Sequence, residues 1–216
     1  MRLFKGLCLL VLLIALSSCT KETAPSDSIR GNASPAAAEA RTVTITPVDL
    51  FKGDGKKFQP FLGLMSGAFK VQYEGAKHNA ALDIELWKDG KKASLAGSLS
   101  DLFLNAKDTD QREIELIISI DTVTSASSNQ EQFTTIKVAT MRGDGSSLAT
   151  FTIPWDKKLS TRGLIQPSEP RSLTDAAPIY VWGMQATSND MIHTADFSPD
   201  SLSSLEYGLL FTLRFD

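Results

Sequence analysis

From Leu82 to the end of the chain, large apolar residues keep returning at every second position. The clearest runs are Leu82, Ile84 and Leu86, then Ile114, Leu116, Ile118 and Ile120, and finally Tyr207, Leu209, Phe211, Leu213 and Phe215. A strand sends successive side chains to opposite faces, so this period predicts strands that bury one face each. Glu113, Glu115, Ser119 and Asp121 fill the alternate positions of the second run, although Ile117 breaks its polarity. Residues 133–141 and 148–153 read as further strands, as do 43–50, 68–73 and 91–99. Residues 179–184 are apolar on both faces, which predicts a central strand covered on each side. No helical stripe of more than about three turns competes with these runs.

Turn chemistry separates the strands. Asp89-Gly90 lies between two of them and suits a type I′ hairpin, whose two central residues both need positive φ. Gly143-Asp144-Gly145 supplies a second turn. Eight or nine strands with this spacing predict an all-β fold, an antiparallel two-sheet β-sandwich. Short helical turns are expected at residues 59–65 and 198–204, and a polar surface loop at 167–177. A closed β-barrel is the runner-up architecture. The last run is similar to the closing strand of outer-membrane barrels. The other strands are too few and too polar outward for a membrane barrel.

The N-terminus is built differently. Arg2 and Lys5 precede an uncharged apolar run over residues 7–16, and Ser17 and Ser18 lead into Cys19. These are the parts of a secretory signal, and the apolar run is too short to span a bilayer. Leu16-Ser17-Ser18-Cys19 resembles the lipobox of bacterial lipoproteins. That resemblance implies cleavage before Cys19 and a diacylglycerol on its sulfur. The mature chain would then be held at a membrane from outside the cytoplasm. Thr20 is not the aspartate that resembles an inner-membrane retention signal. In a host with two membranes, the outer one is therefore the expected destination.

The segments expected are a signal peptide over residues 1–18, a lipidated cysteine and tether over 19–41, and one domain over 42–216. Ala, Ser, Pro and acidic residues dominate 20–41, with Ile29 as the single large apolar residue. Such a composition buries too little apolar surface to offset the entropy of ordering. Cys8 leaves with the signal, so the domain keeps no cysteine for a disulfide or a metal.

Net charge is -3, and the lysine pairs at 56–57, 91–92 and 157–158 stand apart. Nucleic-acid binding needs a basic stripe and is not expected. His78 and His193 lie in polar turns without metal-ligand spacing, and no Gly-x-Ser-x-Gly elbow is present. Asp108, Asp110 and Glu113 alternate oxygens just before a strand. They are the one weak candidate for calcium, without the spacing of an EF-hand. Arg142-Gly143-Asp144 resembles integrin-binding loops, but its glycines are what a hairpin turn requires.

Trp87 and Trp155 are the candidate ligand-binding residues. Trp87 shares a strand face with Asp83 and Glu85 and is expected to meet solvent. Trp155 follows Pro154 at a strand end. Two exposed indoles make a stacking platform, for instance for a glycan. Trp182, in the all-apolar strand, is expected in the core. No cofactor is expected. The reading that follows is a non-catalytic module that binds a glycan, a small molecule or an envelope protein. The alternatives are an accessory subunit of an envelope assembly and, behind it, a hydrolase of envelope polymers.

Overall fold

The computed structural model describes residues 41–103, 111–125, 131–143 and 145–216, all within the compact unit Ala38–Asp216. Eleven strands run through these residues: β1 (Thr42–Val48), β2 (Ser66–Glu74), β3 (Ala80–Lys88), β4 (Lys91–Leu99), β5 (Gln111–Thr124), β6 (Gln132–Arg142), β7 (Gly145–Pro154), β8 (Thr161–Ile165), β9 (Arg171–Thr174), β10 (Ile179–Thr187) and β11 (Tyr207–Phe215). They form a six-stranded sheet, β7-β6-β5-β2-β1-β9, and a five-stranded sheet, β4-β3-β11-β10-β8. Every pairing is antiparallel. The two sheets pack face to face and neither closes on itself, so the fold is a sandwich and not a barrel.

The period-two runs become the inner faces. Val71, Ile114, Leu116 and Val138 of one sheet meet Leu82, Ile84, Phe211 and Leu213 of the other, each at most 1% exposed. Asp89 and Gly90 sit at φ 49° and 70°, the conformation a two-residue type I′ turn demands. A Cβ on Gly90 would lie 2.0 Å from the carbonyl oxygen of Ser203, so the residue must be glycine for space as well.

Two strands were not expected. β8 and β9 are short and each carries an arginine, and β9 falls inside the stretch read as a surface loop. β9 leaves the five-stranded sheet and pairs with β1 at the edge of the other. Helical turns stand at both expected places, α1 (Gln59–Leu62) and α2 (Pro199–Ser203), whereas the 3-10 helix at Gly53–Phe58 that runs into α1 was not expected. Ser198 caps α2, its hydroxyl accepting from the Ser201 N–H.

The outer face of the five-stranded sheet is also covered. Ile165 and Leu210 pack there with Leu202 and Leu205 of the α2 segment, flanked by Trp87, Tyr180 and Phe197. Of β10 only Tyr180 packs on this second cluster; a register shift between Tyr180 and Trp182 lets Val181 and Trp182 both join the inner one.

Candidate functional site

β4 and β7 are the edge strands of the two sheets and lie on the same side of the sandwich. They touch where the Phe151 ring lies over Gly97; a Cβ on that glycine would be 2.3 Å from the ring. β4 then breaks register with β3 twice, between Ile84 and Glu85 and between Leu86 and Trp87. Bulges of this kind bend an edge strand away from its neighbours. On that side, between the edge and the Asp89-Gly90 turn, lies a cleft of about 580 Å³. Leu86, Leu95 and Ala96 form one wall, and Ile153, Pro154 and Trp155 the other. Tyr207 and Leu159 also line it, and Asp89, Asp156, Glu206 and Lys88 contribute its charged groups.

Trp155 is only 6% exposed. Its ring meets Tyr207 edge-on at 5.3 Å and carries the Arg162 guanidinium 4.3 Å from its centroid. Burial pulls Arg162 below the usual guanidinium range. Burial likewise pushes the Tyr207 phenol up to about 12, opposed in part by the charge of Arg162. The Tyr207 hydroxyl is buried and accepts or donates no hydrogen bond within the protein. Glu206 is held ionised by the Thr187 hydroxyl at 2.6 Å and the Ser188 N–H at 3.0 Å, which lower its pKa.

The expected platform of two exposed indoles is not what the fold builds. Trp155 faces the space between the sheets, whereas Trp87 lies on the opposite, outer face of the five-stranded sheet. Trp87 is half-buried against Tyr180, and its Nε1 donates to Glu85 at 2.9 Å. Glu85, which suggested an open face, is 5% exposed and paired with Lys92 at 2.6 Å. The α2 segment and Phe197 cover this face, and the strand pattern alone does not reveal that cover. Trp182 is in the core, as expected, with its Nε1 donating to Gln166 at 3.2 Å.

The remaining candidates separate. His78 Nδ1 faces the Arg112 guanidinium at 3.1 Å, an acceptor role that leaves it no lone pair there for a metal. His193 lies with Asn189 and Asp190 around a second cavity of about 560 Å³, its carbonyl accepting from Gln185 Nε2. Glu113 accepts from Gln72 at 2.8 Å and Lys70 at 3.4 Å, which hold its carboxyl below the usual range. Asp108, Asp110, Asp144 and Cys19 lie outside the described residues. Arg142 donates to the Leu102 carbonyl at 3.0 Å, so its head group is engaged by the protein itself. Among the described residues, no three His, Cys, Asp or Glu side chains converge as a metal site would require.

Tyr207 and Arg162 were not singled out in the sequence. The only signal for Tyr207 was its place at the head of the final alternating run, where it reads as core. The chain matches no family model, and no curated protein and no solved structure matches it.

Proposed function

We propose that this protein is a lipid-anchored, extracytoplasmic, non-catalytic binding module whose ligand enters the cleft between β4 and β7. The Cys19 motif supports the anchor, and the cleft supports the binding role. The observation that carries the reading is the chemistry of that cleft. Its walls are aliphatic and aromatic, and three of its four charged groups are acids. An occupant suited to it inserts an apolar group and presents hydroxyls or a cation to Asp89, Asp156 and Glu206. Both a glycan with an apolar face and an envelope-protein side chain meet that description.

A thermal-shift screen of residues 41–216 against envelope glycans, amphipathic solutes and cationic peptides tests the reading. A ligand that binds only the folded state raises the melting point in a dose-dependent way. Leu95, 53% exposed at the cleft wall, allows a change that leaves the core intact. Leu95→Asp is expected to abolish the shift while keeping the unliganded melting point. A flat screen, or a shift that survives Leu95→Asp, rules the cleft out.

One observation favours the second reading, an accessory subunit of an envelope assembly. β7 is a ten-residue edge strand without a charged side chain among its described residues, and it stays in register with β6 over its whole length. Edge strands without charge or bulge are templates for a further strand from a partner.

A further inference from the structure

We propose that the segment joining β1 to β2 is a preformed docking surface for an anionic lipid bilayer. Phe58, Phe61 and Leu64 are 52%, 80% and 74% exposed. They are three of the eight exposed large apolar side chains among the described residues, gathered into seven positions. The backbone beneath them is pinned. Ser119 Oγ donates to the Leu62 carbonyl at 2.8 Å, and the Ile120 N–H to the Met65 carbonyl at 2.8 Å. Ser66 Oγ closes the turn on the Gly63 carbonyl at 2.7 Å, where Gly63 takes φ 76°. The side chains are thus held outward by a turn that is itself anchored to β5. Little ordering entropy is left to lose on docking.

Charge says what covers them. Lys52, Lys56 and Lys57 are exposed in the same segment, and the Lys57 ammonium lies 5.4 Å from the Phe58 ring centroid. Residues 49–64 carry +1 in a chain of -3, three lysines against Asp49 and Asp54, and the Asp49 carboxylate accepts from the Phe51 N–H at 3.0 Å. Exposed aromatic and aliphatic side chains in a segment that also exposes three lysines match an interface where acyl chains lie beneath acidic headgroups. The surface stands at the end of β1 away from Thr42, roughly 20 Å along the strand. Twenty-one residues separate Cys19 from Arg41 and reach at most about 70 Å, so a chain anchored at Cys19 can lay this end on the same bilayer.

The surface is independent of the cleft, and it is tested without the anchor. Residues 41–216, which contain every described strand and both apolar clusters, are sedimented with phosphatidylglycerol–phosphatidylcholine vesicles and with pure phosphatidylcholine vesicles. Binding to the anionic vesicles alone, weakened by salt, is expected. Phe61→Ser with Leu64→Ser is expected to lower it at least tenfold. Lys56→Glu with Lys57→Glu should lower it by about fivefold or more per lysine. Both variants should keep the wild-type melting point and any cleft-dependent ligand shift. Phe61→Trp should show a blue-shifted emission on vesicles. Absence of anionic-vesicle binding, or binding that neither pair of substitutions reduces, overturns the proposal. Self-association in vesicle-free solution that Phe61→Ser abolishes overturns it too, in favour of a second copy as the occupant.

Discussion

Each of the chain's three tyrosines is under strain of solvation. Burial raises Tyr73, Tyr180 and Tyr207 above the ordinary phenol value of 10.0, with the Asp175 and Glu85 carboxylates adding to the first two. Tyr207, pushed up to about 12, has the largest consequence. Its folded state keeps the proton that the unfolded state gives up near pH 10. The stability it contributes is therefore full below pH 10 and is lost as pH rises towards 12, in total roughly 2–3 kcal/mol. Spectrophotometric titration should show one of the three phenols, Tyr207, still protonated well above pH 10. Its signal should appear together with alkaline unfolding. Three phenols all titrating near 10 in the folded protein would contradict the burial of Tyr207. None of this was legible in the sequence. Tyr207 reads there as one more apolar position, because a hydroxyl without a partner leaves no mark on a hydrophobic pattern.

Edge strands raise a different question, which backbone geometry answers. The β6–β7 hairpin places the odd-numbered residues of β7 in hydrogen-bonded pairs with β6, a parity continued by the Trp155 N–H, which donates to Gln132. The even-numbered N–H groups point away, and proline already occupies the last of those positions, Pro154. Thr150→Pro is therefore expected to change the melting point by no more than about 1 °C and to block any strand added from a partner. Ala149→Pro removes a ladder donor and should cost roughly 2 kcal/mol or more. Thermal melts of the pair decide it; a costly Thr150→Pro beside a harmless Ala149→Pro would place the register off by one. Nine strands and both helical segments followed from alternation and turn residues. β8 and β9 did not, because Thr161-Arg162-Gly163-Leu164-Ile165 and Arg171-Ser172-Leu173-Thr174 are too short and polar to show a period. They are strands because β10 and β1 offer them open edges.

At the scale of the whole molecule, the sandwich is tied together at the end opposite the cleft. Lys77 Nζ donates to the Asp175 carbonyl at 3.0 Å and to the Phe215 carbonyl at 2.9 Å, joining a loop beside β9 to the last strand of the other sheet. The Tyr73 hydroxyl donates to Asp175 Oδ2 at 2.7 Å, and the Arg112 guanidinium covers the Lys77 carbonyl and His78. Lys77→Met keeps the aliphatic stem and removes both cross-sheet donors. It should lower stability by roughly 2–3 kcal/mol, measured as a reduced urea midpoint. A loss below about 0.5 kcal/mol would mean that the core alone holds the sheets together. This node joins Tyr73, Lys77, Arg112 and Asp175, residues scattered over a hundred positions, and local pattern cannot find it. By itself the sequence determined that the chain forms antiparallel strands, where they turn at Asp89-Gly90 and which face of most strands is buried. Those properties depend on a residue and its near neighbours, through side-chain alternation and allowed φ. Only the tertiary structure decided that Trp155 is enclosed, that Trp87 lies under the α2 segment and that a cleft opens between β4 and β7. These depend on which distant surfaces meet, and an indole reads the same in a sequence whether or not another segment covers it.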